Sequence, residues 1–107
     1  MNRGEVWWVE FDPAVGSEIR KTRPAVIVSN NTSNRYLARV QVVPLSSNVE
    51  RIYPSETVVT IAGQRSKIMA DQIMTADKRR LKQTMGKLSQ ADMQAVDGII
   101  KLQLGLV

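Results

Sequence analysis

The sequence predicts one small, mainly β domain: a strongly curved antiparallel sheet or small barrel, closed by a single C-terminal helix. Three observations carry this. Short β-branched runs, bounded by Pro, Gly and Asn, fill the first two thirds of the chain. A helical period begins only after Ser89. The chain has 107 residues, 43% hydrophobic and 23% charged, which suits a single domain over residues 1–107 with a modest core.

Each element has its own signal. Glu5–Asp12 holds Val6, Trp7, Trp8, Val9 and Phe11 and stops at the turn dipeptide Asp12-Pro13. Its two tryptophans fall on opposite faces, one for the core and one for a base or a subunit interface. Residues 13–23 mix turn formers with charge and read as a long loop. Pro24 opens the compact strand Ala25–Ser29, at a position where a missing N–H costs no interior ladder bond. Asn30–Asn34 is a polar turn or one turn of helix. Leu37–Leu45 is the next strand, and Ser46–Pro54 a second loop. Glu56–Ile61 is a strand that turns at Gly63. Lys67–Thr75 reads as one more strand, with Asp71 inside it. Ser89-Gln90-Ala91-Asp92 is a helix start, and Met93, Val96, Ile100 and Leu104 form an apolar stripe over residues 90–104. Gly98 weakens that helix by about 1 kcal/mol relative to Ala.

Composition excludes whole classes of chemistry. Cys and His are both absent. That rules out disulfides, thiolate nucleophiles, zinc fingers and any histidine acid or base. Catalysis falls to Arg, Lys, Asp, Glu, Ser, Thr or Tyr. Glu10 and Asp12 share a strand face, but two carboxylates are weak grounds for a metal site, and none is expected. No apolar stretch has the length of a membrane span or a signal peptide, so a cytoplasmic protein without a membrane partner is expected.

Charge is uneven. Fifteen Lys and Arg against ten Asp and Glu give +5. Residues 65–87 carry that excess, through Arg65, Lys67, Lys78, Arg79, Arg80, Lys82 and Lys87 against Asp71 and Asp77. Such a cluster suits a polyanion or an acidic partner. Taken alone, such a cluster reads first as a solvated face.

The order of motifs adds more. Arg3-Gly4-Glu5-Val6-Trp7-Trp8 through Asp12-Pro13, then Gly16-Ser17-Glu18, then Arg23-Pro24-Ala25-Val26-Ile27-Val28-Ser29, resembles the MazF/PemK family of toxins. Pro44-Leu45-Ser46-Ser47-Asn48, Ala70-Asp71-Gln72-Ile73 and Thr75–Leu81 match later family segments, so the resemblance spans the chain. It implies an SH3-like barrel, the curved CcdB–PemK-like sheet with its C-terminal helix. It also implies a cytoplasmic homodimeric toxin that cuts single-stranded RNA at short sequences, with no cofactor. The ribose 2′-OH would attack the adjacent phosphate, leaving a 2′,3′-cyclic phosphate and a 5′-OH. A cognate, MazE-like antitoxin would cover the RNA groove with an acidic segment.

Carried over residue by residue, the resemblance places the catalytic Arg at Arg23. It places the catalytic Thr at Ser46, where serine keeps the hydroxyl and loses the methyl that stiffens χ1. Ser47 is the adjacent alternative. Glu18 is the nearest candidate base by loop position. Candidate RNA contacts are Ser17, Lys21, Ser47, Asn48, Asp71, Gln72, Lys78 and Arg79. Met69 stands where some members carry an Arg, and Ser17 where some carry a His, so those functions are missing. The chemistry suits these residue types. The substrate supplies the nucleophile, and a guanidinium fork grips two phosphate oxygens as charge builds on them. Two other readings remain open at this level: a CcdB-like gyrase poison with the same fold, and a module that binds nucleic acid without cutting it.

Overall fold

Seven strands and two helices build the chain in the computed structural model, which describes residues 1–106. In order they are β1 (Glu5–Glu10), β2 (Thr22–Ile27), α1 (Asn31–Tyr36), β3 (Arg39–Ser46), β4 (Glu56–Ile61), β5 (Gln64–Met69), β6 (Met74–Asp77), β7 (Leu81–Lys87) and α2 (Gln90–Leu104). The antiparallel path runs β4-β5-β3-β2-β1-β7, with β6 also pairing β3. The expected mainly β architecture with a closing helix is the one observed.

Curvature lets both faces of this sheet carry a core. Val6, Val26, Val43, Leu45, Val59, Ile61 and Ile68 pack under α2, which contributes Met93, Val96 and Ile99. Val9, Phe11, Ala25, Ile27, Val40, Val42, Ala76 and Leu81 form a second cluster on the other side. Strands β2 and β3 feed both clusters, which is why they read as unbroken apolar runs. Register shifts between β1 and β7, at Val6/Trp7 and Trp8/Val9, bend the sheet at its edge.

Several expectations change in detail. Lys67–Thr75 is not one strand. A 3-10 turn over Ala70–Gln72 separates β5 from β6, so Asp71 is exposed on a turn and not set in a ladder. Ala70 is buried there and anchors the turn in the core. Arg23 is the second residue of β2, paired with Val9, and not part of the loop before it. Strand β7 gave no sequence signal, because only Leu81 is buried and Met85 half-buried along it. Helix α2 begins as expected, with the Ser89 hydroxyl accepting from the Asp92 amide at 3.1 Å. Its buried stripe is Met93, Val96 and Ile99, while Leu104 is exposed.

Candidate active site

A cleft of about 430 Å³ opens where β1, β2, the end of β3, the β4–β5 hairpin and β7 meet. Trp8, Lys21, Thr22, Arg23 and Pro24 line it from β1 and β2, Leu45 and Ser47 from the end of β3, Gln64 and Ser66 from β5, and Met85 from β7. Its charged lining residues are Lys21 and Arg23, with no carboxylate among the lining residues described. A concave, partly apolar site with two cations suits a phosphate and an unstacked base.

Local structure explains how each group arrives there. The Lys21 carbonyl accepts from the Phe11 amide at 2.8 Å, which closes the 11–21 loop on itself. That closure holds Lys21 at φ 65°, a left-handed conformation that costs a non-glycine residue about 1 kcal/mol or more. The chain then enters β2 and presents Arg23. Arg23 Nε donates to the Arg20 carbonyl at 3.3 Å, a bond that uses the inner nitrogen of the fork. Among the described residues the two terminal nitrogens of the guanidinium have no hydrogen-bond partner, which leaves them for an anion.

Ser46 and Ser47 stand differently to this cleft. The ladder between β2 and β3 ends at Ala25 and Pro44, and Ser46 pairs instead with Lys67 on β5. Ser46 Oγ accepts from the Asn48 amide at 3.2 Å. Its oxygen is thus oriented while its proton remains free to donate. Ser47 is exposed and lines the cleft itself.

Other expected site residues lie elsewhere. Glu18 lines a separate cleft of about 250 Å³ with Phe11, Pro13, Ile19, Asp71, Gln72 and Arg80. Its Oε1 accepts from the Val15 amide at 2.7 Å, so it stabilises the loop's own turn. Gln72 Oε1 accepts from the Ile19 amide at 3.3 Å and fastens the 3-10 turn to that loop. Ser17 is exposed on the same loop, and Asn48 is exposed just past β3. The structure therefore gathers Lys21, Arg23 and Ser47 in one cleft, whose lining does not include the adjacent Ser46. It gathers Glu18, Asp71 and Gln72 in another.

The basic run of residues 65–87 is dispersed. Lys67 pairs with Glu56 at 3.0 Å. Lys78 donates to the Asn34 carbonyl and lines a different pocket, with Met1, Asn31 and Tyr36. Arg79 pairs with Asp77 at 3.0 Å. The Arg79 side chain and amide both donate to that carboxylate and hold Asp77 below its ordinary range. Arg80 caps the Glu10 and Asp12 carbonyls at 2.9 and 2.7 Å. Most of the run's cations are therefore spent on internal contacts. Trp8, Gln64, Ser66 and Met85 join the cleft although sequence reasoning did not assign them to a site. Trp8 had a signal, as the solvent-side member of the tryptophan pair. Gln64 and Ser66 had none, because only the hairpin brings them there.

Comparison with known proteins now decides the family. Residues 2–104 match the family described as PemK-like, MazF-like toxin of type II toxin–antitoxin system. The chain belongs to that toxin family. A curated member, endoribonuclease MazF9 of Mycobacterium tuberculosis, is 38% identical over 115 residues, covering 99% of this chain and 98% of that protein. Among solved structures, an endoribonuclease in complex with its cognate antitoxin from a mycobacterial species superposes with a TM-score of 0.84 at 27% identity, covering 100% of this chain and 97% of that one. MazF from Deinococcus radiodurans gives a TM-score of 0.87 at 24% identity over 98% and 96% of the two chains, a likeness of fold. The family match over residues 2–104 and the likeness of fold thus extend over nearly the whole described chain.

Proposed function

We propose that this MazF/PemK toxin is a sequence-specific endoribonuclease for single-stranded RNA, acting through the Arg23 cleft. What carries this reading is a cationic, carboxylate-free cleft lined by Ser47, in a chain whose curated relative, matched over nearly its full length, is an endoribonuclease. The substrate's own 2′-OH attacks the adjacent phosphorus. An O2′–P bond forms as the 2′-OH releases its proton to solvent, the P–O5′ bond breaks, and the leaving 5′-oxygen takes up a proton from solvent, so the products are a 2′,3′-cyclic phosphate and a 5′-OH. Arg23 neutralises charge on the phosphorane oxygens through its free terminal nitrogens. Ser46 donates its free proton to a phosphate oxygen, and Ser47 contacts the nucleotide in the cleft. Lys21 supplies a second positive charge. Trp8, 37% exposed at the rim, offers a face for an unstacked base.

The toxin acts in the cytoplasm as a homodimer. Exposed Leu102, Leu104 and Leu106 at the end of α2 are apolar surface suited to a subunit interface. The acidic antitoxin competes with RNA for the cationic cleft. The test is purified protein on a single-stranded RNA in EDTA, with the new ends mapped and their chemistry identified. Cyclic phosphate and 5′-OH ends at a recurrent sequence are expected. RNA left intact, together with inhibition of gyrase supercoiling, would replace this reading with that of a gyrase poison. Binding without cutting would replace it with that of a nucleic-acid-binding module.

A further inference from the structure

Among the described residues, Lys67 is the cation of the basic run that the fold places next to the hydroxyl pair. It sits in β5, paired with Ser46 on β3 and with Val58 on β4. Its side chain is only 12% exposed, and that of its partner Glu56 only 7%. A lysine half-way along a strand has no need of such burial for solubility. Here the ammonium reaches two points of the β3–β4 loop and the first residue of β4. It lies 3.0 Å from Glu56 Oε1 and 3.1 Å from the Arg51 carbonyl. It also sits 5.5 Å over the Tyr53 ring. Glu56 Oε1 in turn accepts from the Tyr53 amide at 2.9 Å, so one carboxylate and one ammonium gather residues 51–56.

The other end of the loop is tied as well. Ser46 Oγ accepts from the Asn48 amide, and Asn48 Oδ1 from the Glu50 amide, each at 3.2 Å. Residues 46–56 thus form a chain of small closures anchored at both ends, and Lys67 stands beside both anchors. A buried ion pair is poor stability engineering, since an apolar pair of similar volume does as well or better. What three directed contacts to one ammonium provide is a single loop conformation.

We propose that Lys67 is a positioning residue for RNA recognition: it latches the 47–55 loop against β5, so that Ser46, Ser47 and the base-reading loop keep one geometry relative to Arg23. This rests on the nuclease reading above. Lys67 does not touch the scissile phosphate. It acts through the loop, and its loss degrades discrimination between RNA sequences.

The test compares wild type with Lys67→Met/Glu56→Gln, a double variant that removes both charges and strands neither. The amide that replaces the Glu56 carboxylate retains an oxygen for the Tyr53 N–H, which isolates the contribution of the ammonium. Lys101→Met, an exposed helix lysine, controls for charge loss. Two quantities are read: hydrogen exchange of the amides of residues 48–55, and kcat/KM on the RNA sequence that wild type itself selects against single-base changes of it. In the double variant, exchange should rise, and the preference for the selected sequence should fall about tenfold or more, as expected when a positioning contact is lost. The control should match wild type in both. Unchanged loop exchange would overturn the latch. Faster exchange with unchanged preference would overturn its role in recognition. So would an equal loss on every RNA that tracks a lowered melting temperature. A wild-type protein that leaves RNA intact would overturn the nuclease reading and the recognition role with it, while the exchange measurement still decides the latch.

Discussion

Ser46 accepts a hydrogen bond from the amide of Asn48 at 3.2 Å, which orients its oxygen and leaves its proton unused. An oriented hydroxyl next in sequence to the cleft residue Ser47 is an unspent donor for a phosphate. Ser46→Ala should therefore lower kcat about tenfold or more, the worth of one hydrogen bond to a charged group. Ser47→Ala should act more on KM. The measurement is steady-state cleavage of a short RNA; the reverse order of effects would transfer the phosphate contact to Ser47.

Arg23→Ala should lower kcat about 10²-fold or more while the protein still melts cooperatively, because the side chain is exposed and supports no core. Arg23→Lys should also be impaired. A point charge does not reproduce a fork whose inner nitrogen is already held by the Arg20 carbonyl. Turnover at the wild-type level in either variant would remove Arg23 from the mechanism.

Glu18→Gln should leave kcat within about twofold of wild type, as for a surface substitution away from the chemistry. Glu18 accepts from the Val15 amide and lines the neighbouring cleft, away from the lining of the Arg23 cleft. A large loss in kcat, with a pH profile that loses its acidic limb, would instead make it the base.

Lys21 and Arg79 should separate in their salt dependence. Lys21→Gly removes a cleft cation and relieves the left-handed backbone at φ 65°, so weaker binding would not reflect damage to the fold. The slope of log K against log salt should flatten by about 0.7, one single-strand phosphate contact. Arg79→Ala should leave the slope nearly unchanged, since Arg79 is committed to Asp77. The hydrogen bond from Arg79 holds that carboxyl below its ordinary value of 3.8. A depressed carboxyl keeps its pairing at all pH above its ordinary value and loses it only as pH falls through the lower, folded value. The small effect of Arg79→Ala should therefore be flat from about pH 5 to 8. Equal slopes for both variants would return the 78–80 cluster to the RNA path.

Cleavage should persist in EDTA. Among the described residues no group of three Asp or Glu could hold a metal ion, and the Arg23 cleft is lined by none. Activity lost in EDTA and restored by magnesium would require a different mechanism.

The sequence by itself determined the class of fold, most strand positions and the closing helix. Those depend on local pattern: β-branched runs such as Ala25–Ser29, and the Ser89 cap before a helical period. Motif order also pointed to Arg23 and the Ser46-Ser47 pair. Tertiary structure decided the rest. Strand β7 is an edge that buries little, so its residues carry no alternation to read. The break at Ala70–Gln72 follows from where the core needs Ala70, not from any Gly or Pro. The basic run looked like one surface only because its residues are close in sequence. In the fold, Lys67, Lys78, Arg79 and Arg80 turn to four different internal partners. Arg23, by contrast, shares one cleft with Ser47, Gln64 and Met85 from distant strands. Charge along a chain is a local property, whereas the field a substrate meets depends on which cations the fold has already paired.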